Sequence, residues 1–350
     1  MKRMLILLAI VLFSVGTLFA EEAVLIDFAS LAADIMPDEE TNLNTQNRRT
    51  LMDYANVAGA SFTDEQKTVM KTSLAIANWD VQFASSSRFV NNITRTYTAE
   101  APSKQFGTVM GLRIHFPVEP YNSWAIVRPP FEIPAFEPQA TIDDDGNIEP
   151  AEGNDGISGR SRFESDEASP TASSYGVVKN VGVIKSIAVN VYGLNFPHGL
   201  FTIYIDNQGI SKEVFMGYLN YDGWGELRWD NPAYVQEVRN RNLRLYPLYP
   251  TSTPFVKFGG FRVARDAAQE GGDFIAYFKD VKIIYDKAVL DTERDIDDEA
   301  LWRIIETRET ARKVWEMERF GQNQVLRYLE REKQATESAF TPTETNEQQQ

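Results

Sequence analysis

The chain predicts a mainly β protein: an antiparallel jelly-roll-like β-sandwich with a short N-terminal helical region and a long C-terminal α-helix. Three observations predict it. Apolar and polar residues alternate in short runs from Gly176 to Ala288, Gly, Asn and Asp turns separate those runs, and a three-to-four-residue apolar spacing takes over near Asp297.

Residues 1–20 open with Lys2 and Arg3, continue as an apolar run and end in Ala20 before Glu21 and Glu22. That order reads as a secretory signal peptide, with export to a periplasmic space after cleavage at Ala20. A strand follows at Ala23–Phe28, and a short helix is expected at Thr63–Ser73, where Thr63-Asp64-Glu65 supplies a cap and an acidic first turn. Trp79, Val81 and Phe83 start a strand. Met110, Leu112, Ile114 and Phe116 continue with period two, so one face of that strand is buried and the other wet.

Residues 137–174 are crowded with Asp and Glu against only Arg160 and Arg162, with Gly, Ser and Pro between them. Such a composition cannot bury enough apolar area to offset ordering, so it reads as a flexible acidic loop inserted in one sandwich domain spanning 21–291. After it come Ile187, Val189 and Val191; a hairpin from Phe201–Asp206 through Asn207-Gln208-Gly209 into Val214 and Met216; then Trp224, Leu227 and Trp229. Val256, Phe258, Phe261 and Val263 form a further strand whose period slips at Gly259-Gly260, which predicts a bulge, and Phe274–Tyr285 closes the series.

From Asp295 the pattern becomes helical. Acids open a helix over 295–334, apolar side chains from Leu301 to Leu329 line it, Gly321 interrupts it, and a polar tail over 335–350 reads as disordered. At 1.5 Å per residue the helix spans on the order of 50 Å. It either packs back on its own sandwich or docks on a neighbouring subunit, where Trp302, off the main stripe, and Trp315 are the candidate contacts.

The chemistry is sparse. The formal charge is −15, and removal of residues 1–20 leaves 33 basic against 50 acidic side chains, a net −17. That disfavours nucleic acid as a partner. Cysteine is absent, and two lone histidines, His115 and His198, do not make a metal site, so no cofactor or metal is expected. Asp143-Asp144-Asp145-Gly146-Asn147 imitates the start of an EF-hand loop, yet Ile148 stands where Gly is needed and Asn154 where the bidentate Glu belongs. No pair of carboxylates stands out from the acidic background, no Gly-x-Ser-x-Gly elbow occurs, and no phosphate loop is present. Enzyme function is therefore not expected.

Aromatic residues remain. Tyr218, Tyr221, Trp224 and Trp229 lie close together between Phe215 and Pro232. They fit core packing, a stacking platform for sugar rings in a periplasmic carbohydrate-binding jelly-roll module, or anchors at a protein interface.

Several segments carry a resemblance across most of the chain. They include LIDF (Leu25–Phe28), TLMDYANVAG (Thr50–Gly59), MKTSLAIANWDV (Met70–Val81), GLRIHFP (Gly111–Pro117) and RPPFEIPAF (Arg128–Phe136). Later come VGVIKSIAVNVYGLNFP (Val181–Pro197), FMGYLNYDGW (Phe215–Trp224), PLYP (Pro247–Pro250), the run Arg265–Asp291 and QVLRYLE (Gln324–Glu330). In these the chain resembles the spirochaete flagellar filament outer-layer (sheath) proteins, the FlaA family. The resemblance implies an exported, non-catalytic subunit that coats core flagellins in periplasmic filaments beside further copies of itself or related sheath subunits, and contributes to stiffness, shape and motility. It carries no catalytic residues onto this sequence.

Overall fold

In the computed structural model the described residues are 21–31, 35–37, 44–46, 51–52, 72–135, 140–142, 148–150, 174–243 and 254–288, with 301–304, 307, 311, 315, 319, 326 and 329. The expected signal peptide, most of the acidic stretch and the tail lie outside them. Strands β1 (Glu21–Asp27), β2 (Ile35–Pro37), β3 (Asn44–Gln46), β4 (Leu51–Met52), β5 (Thr72–Ser73), β6 (Asp80–Phe83), β7 (Tyr97–Ser103), β8 (Gly107–Phe116) and β9 (Ser123–Arg128) come first. The acidic stretch contains β10 (Ala140–Ile142) and β11 (Ile148–Pro150), which pair with each other. Then follow β12 (Val177–Lys179), β13 (Val181–Leu194), β14 (Gly199–Asp206), β15 (Ser211–Tyr218), β16 (Asp222–Asp230), β17 (Phe255–Arg265) and β18 (Gly272–Lys287).

Two six-stranded antiparallel sheets carry the architecture. The first runs β16-β13-β18-β8-β7, with β1 also on β18; the second runs β15-β14-β17-β9-β6, with β12 also on β17. Strands from before the acidic stretch pair with strands from after it, β8 with β18 and β9 with β17. The chain crosses between sheets repeatedly, as a sandwich built from strands with one apolar face requires.

Alternation explains which side of each strand is buried. Met110, Leu112, Ile114 and Phe116 on β8, and Ile187, Val189 and Val191 on β13, are at most 1% exposed and face the interior. Phe28 packs edge-on to Trp79 at 5.3 Å, and Phe261 stacks on Phe278 at 4.4 Å across the two sheets. Each such ring removed from water contributes about 1.5–3 kcal/mol before entropy is counted.

The expected hairpin and bulge are both present. β14 and β15 are joined through Asp206, whose Oδ1 accepts from the amides of Gln208 and Ile210 at 2.9 and 3.0 Å. On β17 the register slips between Gly260 and Phe258, leaving Gly259 as the extra residue. Gly260 takes φ 128, and a Cβ there would lie 2.1 Å from the Val127 carbonyl oxygen, so glycine is what lets β17 approach β9.

Helical expectations need amendment. The helix expected at Thr63–Ser73 lies outside the described residues except for Thr72 and Ser73, which are strand and pair with Leu51 and Met52. A five-residue helix α1 (Val90–Thr94) appears instead, and a helix α2 (Tyr234–Leu243) follows β16. Asn231 starts α2: its Oδ1 accepts from the Ala233 amide at 3.0 Å, and Pro232 follows it with φ already suited to a helix. In the C-terminal stretch the structure describes no continuous helix over 295–334. Residues 301, 302, 304, 307, 311, 315, 319, 326 and 329 have helical backbone, whereas Arg303 takes φ 49 and breaks the run near its start.

Candidate assembly surfaces

Of the aromatic candidates, Tyr221, Trp224 and Trp229 divide between the two faces of the first sheet. Trp229 pairs with Ile187 and Leu227 with Val189, so both side chains follow the buried residues of β13 inward, where they pack against the core. Tyr221 also turns inward. Its ring covers Gly193 and Gly225, its hydroxyl donates to the Val191 carbonyl at 3.2 Å, and burial pushes its phenol up to about 12. A ring fixed in that way is a corner brace.

Trp224 points the other way. It pairs with Tyr192, which pairs in turn with Tyr277 on β18, and these three form a row across the outer face. Trp224 meets Phe106 edge-on at 4.9 Å and Tyr192 at 5.4 Å, while Tyr192 meets Tyr277 at 6.0 Å. Lys279 lies 5.3 Å from the Phe106 ring. The row is half-buried by its own edge contacts, which hold the rings in place and leave an aromatic strip at the surface.

The outer face of the second sheet carries a further aromatic group. Phe201 and Phe215 stand 5.0 Å apart, Phe215 and Tyr218 5.2 Å apart, and all three rings lie around Gly199. The Arg262 guanidinium sits 3.8 Å above the Phe201 ring and donates to Glu213 at 2.7 Å. Phe215 is 41% exposed, Tyr218 50% and, on β9, Trp124 37%. Sequence reasoning named only Tyr218 of this group. The parity of Phe201, Phe215 and Arg262 against the buried Leu200, Val214 and Val263 was the available signal.

At the other end of β17 the same sheet is covered. Lys257 alternates with the inward Val256 and Phe258, yet it is fully buried, because its ammonium donates to Glu132 Oε1 at 2.6 Å. Arg319 from the C-terminal stretch donates to the same oxygen at 2.6 Å, and its guanidinium also lies over Gly209 in the β14–β15 turn. Burial alone would raise the Glu132 carboxyl, but Lys257 and Arg319 together outweigh it and bring it down to about 2. The two tryptophans expected on the C-terminal helix are both exposed, Trp302 by 68% and Trp315 by 41%.

The two histidines have different surroundings. His115 on β8 has Nδ1 2.7 Å from Asp273 Oδ1, a carboxylate that also accepts from Arg113 at 2.7 Å. Those two partners, Arg113 first, hold the Asp273 carboxyl below its usual range. His198 is instead buried in an aromatic box, stacked 5.1 Å from Phe116 and tilted against Phe274 at 4.9 Å, and neither ring nitrogen has a hydrogen-bond partner. Burial, then the nearby Arg265, lowers it to about 4. Among the described residues no group of three or more His, Asp or Glu is placed to hold a metal ion. Nor is any described helix long and apolar enough to cross a membrane.

This geometry offers surfaces for contact: an aromatic strip on one sheet, an aromatic patch on the other, and a seat for the C-terminal stretch. Two solved structures align with part of the chain at low similarity. They are the module TmCBM61 with β-1,4-galactotriose (9% identity, 59% of this chain and 88% of that one, TM-score 0.25) and the family 11 carbohydrate-binding module of a Clostridium thermocellum cellulase (8%, 61% and 91%, TM-score 0.24). Likeness of that degree carries nothing about a ligand. Among curated proteins the chain is 51% identical to a flagellar filament outer layer protein of Treponema pallidum over 98% of this chain and 97% of that one. A protein of the same description from Spirochaeta aurantia is 44% identical over 97% and 95% of the two chains, and one from Borreliella burgdorferi is 28% identical over 81% and 75%. The model of the flagellar filament outer layer protein FlaA matches residues 43–294, and with relatives this similar along nearly its whole length the chain belongs to that family.

Proposed function

We propose that this chain is a structural subunit of the outer layer of periplasmic flagellar filaments. It coats a core of flagellins, packs beside other copies of itself, and contributes to filament stiffness, shape and cell motility. The observation that carries this reading is identity of 51% and 44% over almost the full length of two outer-layer proteins. Residues 1–20 act as the export signal, and the mature chain works in the periplasm. Exposed aromatic faces on both sheets suit a tile that must contact neighbours on more than one side. Many weak contacts repeated along a filament hold such a coat without any single tight interface.

The chain should co-sediment with purified periplasmic filaments, and its deletion should thin them and alter swimming. Filaments of unchanged diameter and unchanged motility in a deletion strain would overturn the reading. The Trp224–Tyr192–Tyr277 row is also the surface on which a sugar-binding role would rest. Saturable glycan binding lost in Trp224→Ala, with filament association intact, would favour that role instead.

A further inference from the structure

The outer faces of the two sheets differ in what covering them would cost. On the first sheet three ion pairs stand in water: Arg113 with Asp273 at 2.7 Å, Arg228 with Asp230 at 2.9 Å, and Lys282 with Glu22 at 3.0 Å. A partner laid over that face would strip hydration from each of these charges, and the loss is recovered only where the partner brings matched charge.

The outer face of the second sheet is aromatic instead. Phe215, Phe201, Arg262 and Ile126 lie in register across β15, β14, β17 and β9. Tyr218 and Trp124 stand at the two ends of the adjacent row, with the small residues Gly199 and Ala264 between them. The Arg262 guanidinium is already held between the Phe201 ring, 3.8 Å away, and the Glu213 carboxylate, so it keeps both when this face is covered.

Area decides what kind of partner fits. Phe215 is 41%, Tyr218 50% and Trp124 37% exposed, which leaves on the order of 250 Å² of aromatic surface in water. A stable pair of free proteins buries about 800 Å² on each side, so this patch does not hold a dimer in solution. It holds where the same small contact repeats along a lattice. Nor does it suit the same patch on another copy, because a like-with-like contact is two-fold and closes on itself, whereas an open layer must continue.

We propose that the outer face of the second sheet is the side turned to the filament core, with Phe215, Tyr218 and Trp124 seated on apolar side chains of the core flagellins. The proposal rests on the outer-layer reading and adds which face does the binding. Neighbouring copies then meet at the sheet margins, where the edge strand β16 carries Trp224.

The chain has no cysteine, so a benzophenone maleimide can be placed at one introduced thiol. Gln82→Cys puts it at the margin of the patch, since Gln82 pairs with Ile126, and Lys282→Cys puts it on the outer face of the first sheet. Each labelled chain is bound to filaments from a strain lacking the protein and irradiated, and the products are identified by mass spectrometry. Gln82→Cys is expected to join flagellin and Lys282→Cys is not. The Phe215→Ser/Tyr218→Ser variant should melt like the parent yet co-sediment at least about tenfold more weakly, and Trp124→Ser, on another strand, serves where that variant fails to fold. The proposal is overturned by flagellin products from Lys282→Cys in equal or greater yield, by Gln82→Cys products between copies alone, or by no product from a chain that co-sediments. A well-folded patch variant that binds filaments like the parent overturns it too. Failure of the unlabelled parent to co-sediment strikes the outer-layer reading itself, so the two failures are told apart.

Discussion

Lys257 Nζ and Glu132 Oε1 lie 2.6 Å apart in a site where Lys257 has no exposed surface, and Arg319 closes on the same oxygen. A lysine buried on a strand is costly unless it keeps its partner. Glu132→Leu removes the buried carboxylate that Lys257 and Arg319 share and should destabilise the fold by about 3–5 kcal/mol. The Glu132→Leu/Lys257→Met double variant should recover part of the loss, since it removes the buried lysine charge while Arg319 still loses its carboxylate. Urea unfolding midpoints of the three proteins test this. Equal stability of Glu132→Leu and the parent would show that the pair contributes nothing.

The same carboxylate makes stability depend on acid. Its folded value of about 2 lies below the ordinary carboxyl value of 4.5, because the two cations outweigh burial. The contribution is thus fully present above about 4.5 and is lost as pH falls toward about 2, where the unfolded chain takes up the proton first. Glu132→Gln should flatten the melting temperature over that window. A melting curve of the variant with the same acid slope as the parent would place the effect elsewhere.

Much of the sandwich was legible along the chain, because local alternation decides which face of a strand is wet. Met110 to Phe116, the turn after Asp206 and the slip at Gly259 all follow from neighbours in sequence. The seat at Lys257 was not legible in this way. A lysine between Val256 and Phe258 reads as a solvent-facing residue, and the groups that bury it come from positions 125 and, for Arg319 to Glu132, 187 residues apart. Helix α2 gives little periodic signal because its segment, Tyr234–Leu243, is mostly polar, although Asn231-Pro232 marks its start. The aromatic residues were half legible: Trp229 shares the parity of Leu227 and turns inward with it, whereas Trp224 has the opposite parity and turns outward.

That difference in parity gives a paired test. Trp229→Ala removes a ring packed against the core and should cost about 2–4 kcal/mol. Trp224→Ala loses edge contacts with Phe106 and Tyr192 on the outer face and should cost about 1 kcal/mol. Chemical denaturation ranks the two, and filament co-sedimentation should then fall in Trp224→Ala despite its near-normal fold. The reverse ranking would mean that the faces are assigned the wrong way round.

Gly260 should tolerate no side chain. Its φ of 128 is unfavourable for any other residue, and a Cβ would meet the Val127 carbonyl oxygen at 2.1 Å, a backbone atom held in the β9 ladder. The pairing of β17 with β9 must shift for alanine to fit. Gly260→Ala is expected to destabilise by about 3 kcal/mol or more, with both strain and lost strand pairing contributing. Amide hydrogen exchange should show the loss first at Val127 and Phe261, which face each other in that ladder. Unchanged protection there would contradict the close approach.

His198 supplies a second acid-sensitive element, distinct from Glu132 in its window. Burial among Phe116, Phe196 and Phe274, then the positive charge of Arg265, lowers it from 6.5 to about 4, so the fold holds the neutral ring. Between those values the unfolded chain binds a proton that the folded chain excludes. Stability is therefore fully present above about 6.5 and declines as pH falls toward about 4. Because neither ring nitrogen is hydrogen-bonded, His198→Phe leaves no polar partner stranded and replaces the ring with one of similar shape. The variant should melt at or above the parent's temperature at neutral pH and lose the parent's decline between pH 6.5 and 4, as read by thermal denaturation at stepped pH. A variant that melts well below the parent at neutral pH would show that the imidazole nitrogens hold a partner that the fold requires.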